Sequence, residues 1–353
     1  MATASQQSAS ALQRIGWQGD LPAISGHACI ARVSAQHRAG YELDDGDHTF
    51  NAQPAPKFLK RNLGPEERPA VGDFVLVEPG TPPHITEVLA RRSALTRAAA
   101  GERYARQVIA TNVDVVLVLT GLDGDFNPAR IERYLALIEG SGARAAVVLT
   151  KRDQREPAEV DEAVEALRKR LPPGTPIHPV NGKDAESVAV LDSLLAPRTT
   201  AALVGSSGSG KSTLTNSLLG EARVATAPTR ASDSHGRHTT THRALLRLPG
   251  GACLIDTPGM RELKLTGDED LELFADIDEL TEQCRFADCS HGNEPGCAVR
   301  EALENGELDP ARWRHYRKLH DEREDQAARF EDRLRGTHEP IRTHRRRDWQ
   351  ERE

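Results

Sequence analysis

Eight residues, Gly205-Ser206-Ser207-Gly208-Ser209-Gly210-Lys211-Ser212, fit G-x-x-x-x-G-K-[ST] at every fixed position. This is a nucleotide phosphate-binding pattern. Its glycines let backbone N–H groups curl around phosphate oxygens where a Cβ would collide. An apolar stretch, 201–204, precedes the loop, and a helical pattern, 212–219, follows it. The helix N-terminus adds partial positive charge. Lys211 reaches the β- and γ-phosphates and acts in catalysis by spreading their charge, while the Ser212 hydroxyl holds Mg²⁺. The nucleotide-binding set runs on to Thr213.

A triphosphate site needs more than this loop. Asp256-Thr257-Pro258-Gly259 ends a second apolar stretch, 252–255, and reads D-x-x-G. Asp256 supports Mg²⁺ and the Gly259 amide senses the γ-phosphate. Between the two lies Gly236-Arg237-His238-Thr239-Thr240-Thr241. One of its threonines completes the Mg²⁺ shell; Thr240 is the candidate, and the spacing leaves Thr239 and Thr241 open.

Base choice falls to Thr150-Lys151-Arg152-Asp153, directly after the strand-like run 143–149. GTPases read guanine with N-K-x-D at a strand end. The Asp accepts from the base N1 and N2 groups, so adenine leaves buried polar groups unpaired. Thr150 stands where Asn is usual, which predicts weaker contact with the base ring. Asp153, which carries the choice, is present. The motif precedes the phosphate loop, whereas ordinary GTPases place it after D-x-x-G. A circular permutation produces this order, because domain termini lie close at the surface and rejoining them keeps the fold.

A third constellation is Cys284-x4-Cys289-x-His291-x5-Cys297. Three thiolates and one imidazole make a closed set of the kind tetrahedral structural zinc prefers.

These sites need elements to position them. From 27 to 97, short strand-like runs alternate with Gly, Pro and Asp clusters, which predicts a small β-barrel. From 112 to 256, strand and helix patterns alternate, which predicts an α/β parallel sheet. After 259 the sequence is helical, polar and charged. The first 25 residues read as a flexible arm by composition. The expected division is 1–25 arm, 26–100 β domain, 101–265 nucleotide domain and 266–353 C-terminal helical domain.

The chain has 353 residues, with 46 Lys+Arg against 53 Asp+Glu and a net charge of −7. That length predicts two or three domains. The charge excludes a uniformly basic nucleic-acid coat but not a local basic patch. Acid concentrates at 153–165 and 268–282; Lys57, Lys60, Arg61, Arg91, Arg92 and Arg97 mark the β domain, and Arg342, His344, Arg345, Arg346 and Arg347 the tail. Five Cys are too few for a disulfide scaffold. No apolar run reaches the ~20 residues of a membrane helix, so a soluble cytoplasmic protein is expected.

The motifs together resemble the RsgA family of ribosome small-subunit-dependent, circularly permuted GTPases. The resemblance rests on Val71-Gly72-Asp73, Asn112-x-Asp114, the permuted T-K-x-D, GSSGSGKST, GRHTTT, DTPGMREL and CRFADCSHGNEPGCAV. It implies an N-terminal OB-fold, a central permuted α/β P-loop GTPase and a C-terminal zinc-binding domain. It implies late 30S assembly with 16S rRNA contact, a monomer, GTP and GDP with Mg²⁺, one structural zinc, and hydrolysis stimulated by the 30S particle. The family's base-supporting motif falls near Val180-Asn181-Gly182, a loose match. Met260 follows Gly259 where Ras-like enzymes carry a water-orienting Gln, so intrinsic turnover is expected to be slow. The resemblance gives the catalytic part to His238. Two other readings compete: an ATP-using P-loop protein, and an RNA-binding chaperone with structural nucleotide.

Overall fold

The computed structural model describes residues 8–334 apart from 21, 23, 25–26, 38, 61–62, 99–105, 222–242, 258–264 and 267–270. No described helix is long and apolar enough to cross a membrane.

A short helix, α1 (Ala9–Arg14), comes first, with Ser8 as its N-cap. Five strands follow: β1 (Cys29–His37), β2 (Gly40–Asp44), β3 (Thr49–Pro54), β4 (Phe74–Glu78) and β5 (His84–Val88). β1 pairs with both β2 and β4, β2 with β3, β3 with β5, and β5 with β4. The ring 1-2-3-5-4-1 closes the OB-fold barrel around Ala31, Val33, Leu43, Val75, Val77 and Ile85. Closure leaves no open sheet edge. The expected flexible arm is corrected for its described part. Leu12 and Ile15 are fully buried and cluster with Ile30 and Phe74 of the barrel. Apolar burial outweighs the polar composition that suggested an arm.

A hairpin, β6 (Ala94–Ala98) with β7 (Arg106–Thr111), leads out of the barrel. The expected boundary at 100 therefore falls inside a paired unit. Then come β8 (Val115–Gly121), α2 (Pro128–Ile138), β9 (Arg144–Thr150), α3 (Pro157–Arg168), β10 (Ile177–Pro179), α4 (Ala185–Val188), β11 (Thr200–Gly205), α5 (Lys211–Leu219), β12 (Ala244–Arg247) and β13 (Cys253–Asp256). Strands lie in the order β10-β9-β8-β11-β13-β12, parallel except for β12. β8 is an unbroken apolar run because both its faces are covered. Val116 and Val118 pack with Ile131 and Leu135 of α2, while Val115, Leu117 and Leu119 pack with Leu214 and Leu219 of α5.

One pairing, Ala35 with Ala244, makes barrel and sheet continuous. Arg32 seals the joint from complete burial. It donates to the carbonyls of Gly72 (3.0 Å), Ile15 (2.6 Å) and Asn112 (3.1 Å) and to Thr200 Oγ1 (2.8 Å). Gly72 must be glycine: φ is +99° and a Cβ would lie 2.2 Å from the Thr111 carbonyl oxygen.

The C-terminal part is helical: α6 (Ala275–Glu282), α7 (Ala298–Glu304) and α8 (Pro310–Leu334). α8 packs through Trp313, Tyr316 and Leu319. Glu132 of α2 is fully buried and takes Arg170 through two hydrogen bonds (2.8 and 3.1 Å) and His315 of α8 (2.7 Å). Arg312 Nε lies 3.8 Å from the same carboxylate. Arg133 forks onto Glu322 of α8 (3.0 and 2.8 Å), which also accepts from the Leu265 amide at 3.0 Å. Leu265, nine residues after Asp256, is thus held by α8.

Candidate active site and metal centre

The parallel register sets the site. Leu203 lies beside Asp256, Gly205 beside Leu119, and Gly121 beside Thr150. The phosphate loop, Asp256 and the T-K-x-D motif therefore meet at the carboxyl edge of the sheet, where open α/β folds bind ligands.

β11 ends at Gly205 and α5 starts at Lys211. Gly208 and Gly210 between them adopt φ of +87° and +91°. A Cβ on Gly210 would also crowd the Thr150 side chain at 3.1–3.3 Å. Lys211 Nζ donates to the carbonyls of Gly205 (2.8 Å) and Ser206 (2.6 Å). Burial pushes its ammonium down to about 8, against the pull of Asp256 and Asp125. Asp256 is buried too, and burial pushes its carboxyl up to about 6 against the pull of Lys211. Both shifts have the sign of charges held in a low-dielectric cleft. The Thr257 hydroxyl donates to the Leu203 carbonyl at 2.5 Å and seats the end of β13. Ser212 and Thr213 sit half-buried in the first turn of α5.

Thr150 is buried and donates its hydroxyl to the Ser209 carbonyl at 2.8 Å, with the Thr120 carbonyl at 3.3 Å. Lys151 takes a left-handed backbone (φ +61°) and pairs with Asp123 at 2.5 Å. Burial raises the Asp123 carboxyl, but bonds from Lys151 and from backbone amides outweigh this and hold it below its ordinary range. Arg152 and Asp153 lie exposed in a single 3-10 turn, Arg152–Gln154. They line a cleft of about 550 Å³ together with Asn181, Asp184 and Ser187. The loop that holds Asn181 is tied to α5, since Ser217 donates to the Gly182 carbonyl at 2.5 Å. His238, Thr239, Thr240, Thr241, Gly259 and Met260 lie outside the described residues.

The sequence reading missed the stretch after β8. Asp123 faces Lys151, and Asp125 accepts from the hydroxyl of Ser206, second in the phosphate loop. Gly-Leu-Asp-Gly-Asp reads in sequence only as a polar turn.

Cys284, Cys289, His291 and Cys297 converge, their ligand atoms all within 4.8 Å of one another. Cys284 Sγ lies 3.5 Å from His291 Nδ1 and 3.9 Å from Cys297 Sγ, and Cys297 Sγ lies 3.7 Å from His291 Nδ1. Ligands at ~2.0–2.3 Å from one tetrahedral ion stand roughly 3.5–3.8 Å apart, so the group fits zinc. Burial raises the Cys284 thiol, but the Val299 and Ala298 amides and the neighbouring thiols pull it below its ordinary value.

Of the basic residues read as RNA candidates, Lys57 and Lys60 are exposed. Arg91 is not free for RNA. It forks onto buried Asp73, with two 2.7 Å bonds, and also donates to the Arg68 carbonyl. Arg92 pairs with Asp114, and Arg97 bonds Gln107. Arg61 and the tail, Arg342 to Arg347, lie outside the described residues.

The RsgA GTPase family model matches residues 88–266. The small ribosomal subunit biogenesis GTPase RsgA of Xanthomonas euvesicatoria pv. vesicatoria is 51% identical over 321 residues, 87% of each chain. The chain belongs to the RsgA GTPase family. Its relative of the same name in Xanthomonas oryzae pv. oryzae is 50% identical over the same share. Among solved structures, YjeQ from Thermotoga maritima aligns with TM-score 0.58 and 25% identity, covering 83% of this chain and 97% of that one. YloQ, described as a circularly permuted GTPase, aligns with TM-score 0.56 and 24% identity, covering 85% and 96%. Family membership makes the chain a GTP hydrolase, and the strand order with the base motif ahead of the phosphate loop is its permuted form.

Proposed function

We propose that this GTPase works on the small ribosomal subunit during its assembly, turning over GTP slowly alone and faster on the particle. The support is the name its relatives carry, small ribosomal subunit biogenesis GTPase. The observation that carries the nucleotide reading is the Thr150–Ser209 bond, which locks a guanine-reading strand end onto a phosphate loop.

In this reading the loop amides and Lys211 hold the phosphates, and Lys211 spreads charge as the γ-phosphoryl group leaves. Ser212, Asp256 and one threonine of the Thr239, Thr240, Thr241 run would hold Mg²⁺. Once bound, the ion would neutralise phosphate charge. Asp153 accepts from guanine in the cleft it lines with Asn181, and Arg152 flanks it. His238 acts in catalysis on the particle. His238→Ala then lowers stimulated turnover and leaves nucleotide affinity alone.

Cys284, Cys289, His291 and Cys297 would hold one zinc ion, whose part is to staple α6 to α7. Metal analysis should return one zinc per chain, and none after Cys284→Ala. The working division places the GTPase between residues 88 and 266, the limits of the family match. The barrel, through Lys57 and Lys60, and the C-terminal unit with its tail supply 16S rRNA contacts. We assign a monomer in the cytoplasm. The test is GTP turnover with and without purified small subunits. A rise supports the reading; no rise, or ATP competing equally with GTP, ends it.

A further inference from the structure

We infer that Asp125 is a positioning residue of the nucleotide site. It holds the phosphate loop from the stretch after β8, whose other carboxylate, Asp123, holds the base-reading motif. The Ser206 hydroxyl lies 2.8 and 2.6 Å from the two Asp125 carboxylate oxygens. Asp123, two residues earlier, pairs with Lys151 at 2.5 Å. One short stretch between β8 and α2 therefore grips both halves of the site.

Asp125 is itself held from several sides. Arg130, in the first turn of α2, pairs with Oδ1. The Thr120 hydroxyl donates to the Asp125 carbonyl at 3.1 Å, and the Asp125 amide donates to Asp123 Oδ1 at 3.1 Å. The Gly121 amide lies 3.4 Å from Oδ2. The carboxylate is mostly shielded, with 18% of its side chain exposed. Hydrogen bonds to an ionised acceptor are short and about twice as strong as neutral ones.

Ser206 is thus held twice. Asp125 takes its side chain, and Lys211 donates to its carbonyl at 2.6 Å. Together these fix which way its peptide plane faces. Backbone N–H groups in such a loop do the phosphate binding, so a Ser206 free to turn would present them wrongly. Asp125 also supports the charge on Lys211, acting with Asp256 against burial. This assignment rests on the reading of Lys211 and its loop as the phosphate site.

The test is titration of the full-length protein with a fluorescent GDP analogue. The variants are Ser206→Ala, Asp125→Ala, Asp125→Asn, the Ser206→Ala/Asp125→Ala double and Lys211→Ala. Ser206→Ala and Asp125→Ala should each weaken binding roughly tenfold. The double should be no weaker than either single, because both remove one contact. Asp125→Asn, whose amide oxygen still accepts from Ser206, should recover most of the affinity. A residue that merely supports the fold would instead weaken binding independently of Ser206, and the losses would multiply in the double. Wild-type binding by Ser206→Ala, or losses that multiply to roughly a hundredfold in the double, overturns the assignment. If Asp125→Ala fails to fold, Ser206→Ala and Asp125→Asn decide. Lys211→Ala separates the two readings. If it binds normally, the phosphate-site reading fails; if it alone loses binding, only the role of Asp125 fails.

Discussion

The Thr150 hydroxyl donates to the Ser209 carbonyl oxygen at 2.8 Å, across 59 residues of sequence. Thr150 closes β9 and opens the T-K-x-D motif, and Ser209 sits fully buried in the G-x-x-x-x-G-K-S loop. The bond holds the two halves of the site at fixed spacing. In sequence Thr150 reads as a weakened Asn. In the fold its short side chain makes the tie itself and leaves just enough room for Gly210.

Thr150→Val keeps the shape and removes the hydroxyl. The Ser209 carbonyl loses its side-chain donor, a loss of roughly 1–3 kcal/mol. Nucleotide affinity should fall about tenfold in a fluorescent GDP titration. Thr150→Asn restores a donor and should bind within about threefold of the wild type. Equal binding by wild type and Thr150→Val would show the tie to be idle.

Nucleotide binding should peak between about pH 6 and 8, the window in which Asp256 is ionised and Lys211 is charged. Above about 8 the free protein has lost the Lys211 proton, and phosphate restores it by favouring the ammonium. Binding there takes up a proton, which calorimetry in buffers of different ionisation enthalpy detects. Below about 6 Asp256 is neutral and would no longer support Mg²⁺. The stability signs follow from the same shifts. The folded chain holds the Asp256 proton more tightly than the unfolded chain, so this group contributes less stability as pH rises through about 6. The unfolded chain holds the Lys211 proton more tightly, so its contribution rises with pH above about 8. A flat proton uptake between pH 7 and 9 contradicts the pairing.

Glu132 joins α2 to Arg170 and to His315 of α8. Burial raises its carboxyl, but the bonds from His315 and Arg170 outweigh this and hold it below its ordinary range. A depressed carboxyl stabilises the fold above its unfolded value and loses that contribution as pH falls through the folded one. Glu132→Ala removes the buried carboxylate that Arg170 and His315 share and should cost about 3–5 kcal/mol in denaturant unfolding. A change below about 1 kcal/mol would mean that the Glu132 cluster does not hold α8 in place.

The contiguous motifs were legible because their chemistry fixes residue types at short spacing. Gly205 to Ser212 and the Cys284 to Cys297 cluster stand where their patterns say. The alternating α/β core was legible because β8 and β11 are buried on both faces and so read as apolar runs. The supports were not. Asp125 meets Ser206 from 81 residues away, and Glu132 meets His315 from 183. A lone charged residue carries no local pattern that names such a partner. Arg91 read as surface charge for the same reason, since nothing near it announces Asp73 as its fork. In α1 and at its C-cap, three small or medium apolar residues, Ala11, Leu12 and Ile15, were too few to stand out from polar neighbours.

On the proposed function, a T-K-x-D motif placed ahead of the phosphate loop selects guanine in a GTPase stimulated by the small subunit. Asp153→Asn tests it directly. An amide offers a donor where the carboxylate only accepts, so the variant should reject guanine and prefer xanthine, whose C2 oxygen accepts. The measurement is turnover of GTP and xanthosine triphosphate by wild type and Asp153→Asn, with and without small subunits. The wild type should show stimulated GTP turnover, and the variant stimulated xanthosine triphosphate turnover with little GTP turnover. Unchanged GTP preference in Asp153→Asn would contradict it.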